Sequence, residues 1–287
     1  MTVFHYVNGE FVSEEKAFVS ALDLGVLRGY GVFDYVQVYG GKPFHLMDHL
    51  QRLMWSADQV ELTLPFGLEE LERLAGELLS KNAPIDAGIR LVVTGGVSGQ
   101  DQLLPAESAN LMMLFHPFTP SPEKYYTRGM KVITTPLLRL LPGVKTTNYM
   151  PAIFATRKAK KMGFDDAVYV NDKSEVLEGM ISNAFFFKKG TLITSDSDQI
   201  VKGVTRAVIL DLAKPYFPIE LRSLKLSELK DCEEAFLCSS RKEVAPLVQI
   251  NDTVIGSGTP GPQCAKLRQL FQDYVVQYFA DSCKKIS

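Results

Sequence analysis

The run VFDYVQVY at residues 32–39, rich in β-branched and aromatic side chains, is halted by Gly40-Gly41 and followed at once by two stretches of helical periodicity. In the first, Leu46, Leu50, Leu53, Ala57 and Val60 recur at the spacing of one helix face; in the second, Leu68, Leu71, Leu74, Ala75 and Leu78 do the same. The run and its glycine turn predict a strand leading by a hairpin into residues 42–46, then two amphipathic helices. Residues 88–94 and 109–115 read as buried strands. Further on, residues 130–135, 167–170, 184–188 and 235–238 read as strands, and residues 151–161, 205–212 and 262–279 as helices, with Pro151 suited to a helix start. The chain is therefore expected to be a mixed α/β (α+β) protein.

With 287 residues and 46 % hydrophobic content there is enough material for two cores. The proline-rich HPFTPSPEKYYTRG has the character of a linker, which predicts an N-terminal α/β domain over 1–119, a linker over 120–129 and a C-terminal domain over 130–287. Thirty-one basic against 33 acidic side chains give a net charge of −2, so no global field favours nucleic acid or an anionic membrane. The N-terminus lacks the basic and apolar regions of a signal peptide, and no apolar run reaches the ~18 residues of a membrane span. A cytoplasmic location is expected. Cys232, Cys238, Cys264 and Cys283 form no C-x-x-C pair and read as reduced thiols.

Several motifs carry no chemistry. His45 and His49 have the spacing of a zinc pair but lack the glutamate of H-E-x-x-H and a third ligand, so no metal site is expected. Ser121 with Lys124, and Ser227 with Lys230, match S-x-x-K without its companion motifs. The glycines of TGGVSG at 94–99 lack the G-K-[ST] ending of a phosphate loop and read as a turn.

What remains is PGVKTTNYMPA, VLEGMISNAFFF, VKGVTRAVILDLAK and AFLCSSRKEVAP, in that order through the second half. Together these stretches resemble the fold-type IV (class IV) aminotransferases, a family that includes branched-chain aminotransferases, D-amino acid transaminases and aminodeoxychorismate lyase. The likeness begins at VNGEFV and covers almost the whole chain. It implies a two-domain enzyme with its active site between the domains, a homodimer, and pyridoxal 5′-phosphate held by the C-terminal domain.

Residue by residue, Lys145 matches the family's Schiff-base lysine. Such a lysine must act as a neutral amine, although with a reference pKa of ~10.4 only about one free lysine in 10³ is neutral at pH 7; a loop after Pro142-Gly143 keeps it off a solvated helix surface. Glu178 matches the acid that keeps the pyridine nitrogen protonated. Gly203-Val204-Thr205-Arg206 matches the phosphate cup, where Val204 and Thr205 offer helix N-terminal N–H groups. Ser240 matches the hydroxyl of a second phosphate loop, and Arg52 the arginine that salt-bridges the phosphate. Tyr149 resembles the tyrosine that bonds the cofactor's phenolic oxygen, one residue displaced from its place in branched-chain enzymes.

The resemblance implies exchange of an amino group between an amino acid and a 2-oxo acid, with a lyase of the aminodeoxychorismate type as the alternative. The usual D-enzyme carboxylate trap, Arg-x-His, is replaced here by Gln100-Asp101-Gln102, and its tyrosine by Phe33. Asp34-Tyr35 stands where branched-chain enzymes show Glu-Gly. Arg28 and Arg90 are the candidates to bind the substrate carboxylate, a pair that looks like an atypical D-amino acid transaminase subgroup. Arg90, inside an apolar strand, is expected to be buried there, and an acid partner is the competing account of it.

Overall fold

Alternation along β3 (Gly31–Tyr39) organises the first half of the chain. Period-2 geometry turns Val32, Asp34, Val36 and Val38 to one face and Phe33, Tyr35 and Gln37 to the other. The first face carries the core, packing on α2 (Leu46–Asp58) and α3 (Leu68–Lys81), whose Leu50, Leu53, Leu71 and Leu78 are fully buried. The computed structural model describes residues 2–100, 103–105, 109–136 and 138–284. They divide into two units, one made of residues 1–119 with 144–148, the other of 120–143 with 149–287.

The first unit is built on a six-stranded antiparallel sheet. Besides β3 it contains β1 (Phe4–Val7), β2 (Glu10–Ser13), β4 (Lys42–Pro43), β5 (Ala87–Thr94) and β6 (Asn110–Pro117), in the order β2-β1-β6-β5-β3-β4. The expected hairpin is present with a short second strand; Phe44 N still donates to Gln37 O at 2.8 Å, and Leu46 already opens α2. Short α1 (Leu24–Arg28) is capped by the buried Asp23, which accepts from Gly25 N, Thr94 Oγ1 and Asn110 Nδ2, and is ended by Gly29 at φ 67°. Those bonds fix the segment that bears Arg28.

Residues 144–148 join this unit by hydrogen bonding. Phe33 N donates to Lys145 O at 2.9 Å, Thr147 N donates to Gly31 O at 2.9 Å, and Thr146 bridges Val32, so the segment lies antiparallel beside the start of β3. Val144 is buried in the same core. Lys145 is thus fixed to a strand from outside regular structure.

The second unit holds α4 (Lys124–Thr127), β7 (Met130–Thr135), α5 (Met150–Lys161), β8 (Asp166–Val170), β9 (Glu175–Gly179), β10 (Ser182–Lys188), β11 (Thr191–Thr194) and α6 (Val204–Ala213). It continues with β12 (Ile219–Leu221), β13 (Leu224–Lys225), β14 (Glu234–Ser239), β15 (Glu243–Ile250), β16 (Thr253–Val254) and α7 (Pro262–Lys284). Strands β10, β14, β15, β7, β8 and β9 follow one another in the sheet, and β9 pairs back onto β10, closing a barrel without free edges among these six. Residues 120–129, expected as a linker, belong to this unit: Ser121 and Tyr126 bond the turn after β14, and Lys124 pairs with Asp165 at 2.7 Å. Among the described residues no helix is long and apolar enough to cross a membrane.

Candidate active site

In the first unit, a buried polar stripe interrupts the core. His49, Arg52 and Ser56 lie three, then four residues apart on α2, hence on one face of that helix. Arg52 forks onto the fully buried Asp34, with Nε to Oδ2 and Nη2 to Oδ1 both at 2.8 Å, while His49 Nδ1 meets Oδ1 at 2.7 Å. Burial by itself would raise the Asp34 carboxyl; the Arg52 and His49 neighbours overcome it and hold the group well below the usual carboxylate range. Burial lowers His49, with Asp34 acting against the shift, and the ring hydrogen-bonds through Nδ1 to the Asp34 carboxylate. Ser56 Oγ accepts from Lys145 N at 3.4 Å at the end of the stripe.

The opposite face of the sheet holds different chemistry. Phe33 and Tyr35 share it with Arg90, which stands directly across from Tyr35 on β5. Gly88 makes room for the Tyr35 ring, because a Cβ there would lie 2.0 Å from its hydroxyl in this position. Lys145 Nζ lies 4.6 Å and Arg90 Cζ 5.4 Å from the centre of the Phe33 ring, so one aromatic side chain carries both cations. Arg90 is exposed, contrary to the burial expected of it, because alternation places it on the face away from α2 and α3; no acid pairs with it among the described residues. Arg28 is exposed at the end of α1 and donates to Leu27 O.

In the second unit, Glu178 sits at the seam where β9 meets β10 and is 2 % exposed. It accepts from Asn183 Nδ2 at 3.3 Å and Val201 N at 3.4 Å, and Arg139 Nη1 stands 3.6 Å away. Arg139 also donates to Met180 O and lies against the rings of Tyr149 and Tyr169, 5.4 and 5.7 Å from their centres. Burial works against its charge, and Glu178 together with Tyr149 and Tyr169 outweighs it, holding the guanidinium above its ordinary value. Gly203 precedes α6 with no side-chain cap, and a Cβ at that position would meet Asn183 Oδ1 at 2.2 Å. Asn183 also donates to Val201 O at 2.8 Å, so the segment leading into α6 is held against the strand that bears Asn183. Ser240 occupies the turn between β14 and β15.

The structure thus groups Lys145, Arg52 and Arg90 around β3, and Glu178 with Tyr149 around Arg139. Asp101 and Gln102 lie outside the described residues. His45 pairs with Asp48 and His49 with Asp34, so the two imidazoles serve different partners, and no metal-binding cluster exists among the described residues.

Comparison with known proteins places this arrangement. Residues 31–250 match the model of the amino-transferase class IV family. The chain belongs to the class IV aminotransferase family. Within it, a protein of Methanocaldococcus jannaschii assigned as a branched-chain-amino-acid aminotransferase is 35 % identical over 93 % of this chain and 95 % of its own. The D-alanine aminotransferase of Listeria monocytogenes is 31 % identical over 94 % and 96 %. The T.th. branched-chain amino acid aminotransferase, solved with pyridoxamine 5′-phosphate, superposes with a TM-score of 0.88 at 27 % identity, covering 95 % of this chain and 94 % of that one. This class IV aminotransferase is an enzyme of amino-group transfer, and the names of its relatives favour that reaction over the lyase alternative.

Reading the sequence of this aminotransferase left out Arg139, Asp34 and His49 as site residues. Each had a signal. Arg139 is a cation among leucines six residues before Lys145, and Asp34 is an acid in an apolar strand, with His49 and Arg52 three residues apart on the helix that follows. Their pairing depends on which faces of β3 and α2 meet.

Proposed function

We propose that this aminotransferase exchanges amino groups between D-amino acids and 2-oxo acids, with Lys145 carrying pyridoxal 5′-phosphate and Arg90 and Arg28 receiving the substrate carboxylate. The observation that carries the reading is the Phe33 ring, over which the lysine amine and an exposed guanidinium without an acid partner both lie. A carboxylate drawn to Arg90 brings the carbon next to it toward Lys145 Nζ.

The residues present fit the cofactor. Glu178 is a buried carboxylate able to hold a proton on the pyridine nitrogen, and the uncapped start of α6 offers N–H groups to a phosphate. When bound, the cofactor supplies the electron sink that makes the substrate's Cα–H acidic. Lys145 Nζ would attach it and carry the proton, and Val204, Thr205 and Ser240 would hold its phosphate. Arg52 would assist with a guanidinium whose orientation Asp34 sets through Nε and Nη2, and Tyr149, its ring braced by Arg139, would bond the phenolic oxygen. A cytoplasmic homodimer accords with this reading: the described cysteines are free and buried, and apolar Phe18, Leu22 and Val26 near α1 and Met150, Ile153 and Phe154 on α5 are exposed.

Branched-chain L-amino acids are the second reading, favoured by the identity to the M. jannaschii protein. Half-reaction kinetics on a panel of D- and L-amino acids decide between them. Arg90→Ala should lower kcat/KM for amino acids by roughly 10- to 200-fold, the equivalent of ~1.5–3 kcal/mol for a charge-assisted bond, and leave the corresponding decarboxylated amines unaffected. Equal losses for acid and amine would show Arg90 to be structural.

A further inference from the structure

The turn that bears Ser240 is unusually fastened. It consists of Ser240, Arg241 and Lys242, and it closes on Glu243 with φ 52°, a left-handed conformation that a residue with a Cβ adopts only under constraint. Ser239 Oγ accepts from Lys242 N at 3.2 Å inside the turn. Two hydroxyls from outside hold its carbonyls: Ser121 Oγ donates to Arg241 O at 3.2 Å and Tyr126 OH to Lys242 O at 3.0 Å.

The third fastener is an ion pair. Lys242 is only 6 % exposed, an uncommon position for an ammonium, and its Nζ donates to Asp166 Oδ2 at 3.4 Å. The other oxygen of Asp166 accepts from Thr156 Oγ1 on α5 at 3.2 Å and from Ala167 N at 2.9 Å. Burial pushes the Lys242 ammonium down and Asp166 opposes it. Such a pair is a poor source of net stability, since desolvation offsets much of the attraction, but it admits few geometries.

We propose that Lys242 is a positioning residue, whose buried pair with Asp166 holds the Ser240 turn in the shape that receives the cofactor phosphate. The inference rests on the assignment of Ser240 to that phosphate. It differs from a general role in folding in one respect: its loss must be felt by the phosphate and not by the rest of the cofactor.

The test uses the full chain with Lys242→Met, Tyr126→Phe and Ser240→Ala. Release of pyridoxal 5′-phosphate from each holoenzyme is timed, the ³¹P resonance of the bound phosphate is recorded, and affinity is measured for pyridoxal, which has no phosphate. Lys242→Met should weaken retention of the phosphorylated cofactor about tenfold, as expected for one lost hydrogen-bonding contact, shift the ³¹P signal, and leave pyridoxal binding unchanged. Tyr126→Phe should act in the same direction with smaller size, and it decides the matter if the Lys242 variant does not fold. Equal weakening for both ligands, or none, in whichever of these two variants decides, overturns the proposal. If Ser240→Ala fails to discriminate phosphate from no phosphate, the assignment of Ser240 falls, and the role of Lys242 falls with it.

Discussion

Both units bury a carboxylate beside an arginine, and the two pairs are built differently. Asp34 and Arg52 form a two-pronged fork with both bonds at 2.8 Å, and His49 adds a third contact at 2.7 Å. Glu178 and Arg139 stand 3.6 Å apart, with Asn183 and Val201 at 3.3 and 3.4 Å, and Arg139 Nη1 makes no hydrogen bond among the described residues. A short fork fixes two side chains at the expense of adaptability. An offset pair with longer contacts leaves its carboxylate able to tighten onto a further N–H donor. The first pair is built as a brace for α2 against β3, and the second leaves Glu178, the proposed acid, room to adjust.

The largest effect expected from this contrast is on stability. Asp34→Asn leaves the Arg52 guanidinium without its counter-charge, and breaking a buried pair costs ~3–5 kcal/mol; Arg52 is 15 % exposed, which places the loss near the lower end. Denaturant titration measures it. The pH dependence sharpens the point. Asp34 is held below its unfolded pKa, so its contribution is complete above about pH 4 and disappears as pH falls through that range toward the folded value. His49 is also lowered, so its neutral form supports the fold above about pH 6.5 and does so less below it. Wild-type thermal midpoints should fall in both windows, and the lower window should flatten in the variant. A variant as acid-labile as wild type below pH 4 would contradict the bracing role.

Next in size, Glu178→Gln should reduce kcat by on the order of 10²–10³, the scale of losing one preorganised electrostatic contact at a reacting group, with little change in the unfolding midpoint. A loss of stability comparable to that of Asp34→Asn, with kcat retained, would erase the distinction between the two pairs. The smallest effect belongs to Tyr149→Phe. The ring against Arg139 is kept and one hydroxyl is removed, so cofactor affinity should fall by less than about tenfold. A spectrum and affinity identical to wild type would remove Tyr149 from the cofactor's contacts.

Much of the fold was legible from local pattern. The helical spacing of residues 46–60 and 68–78 became α2 and α3, and the apolar runs near residues 88, 109, 130, 167, 184 and 235 became β5, β6, β7, β8, β10 and β14. Short or polar strands such as β2, β12 and β13 carried no periodicity long enough to read. Of the candidate site, Lys145, Glu178, Arg52 and the start of α6 came from motif resemblance, because their chemistry demands particular residue types in a particular order.

What the sequence determined by itself was the set of elements and the reactive groups they carry, since periodicity, turn residues and motif order are local properties of the chain. The tertiary structure decided their company. Residues 144–148 pair with β3 and not with their neighbours in sequence, which sets Lys145 over the Phe33 ring that Arg90 also meets. Strand alternation then sent Asp34 to the helix side and Arg90 to the other, so the acid that could have neutralised one arginine was bound to Arg52 instead. Such choices depend on which faces meet across tens of residues, where a single shift of register reverses every side chain, and no local pattern records that.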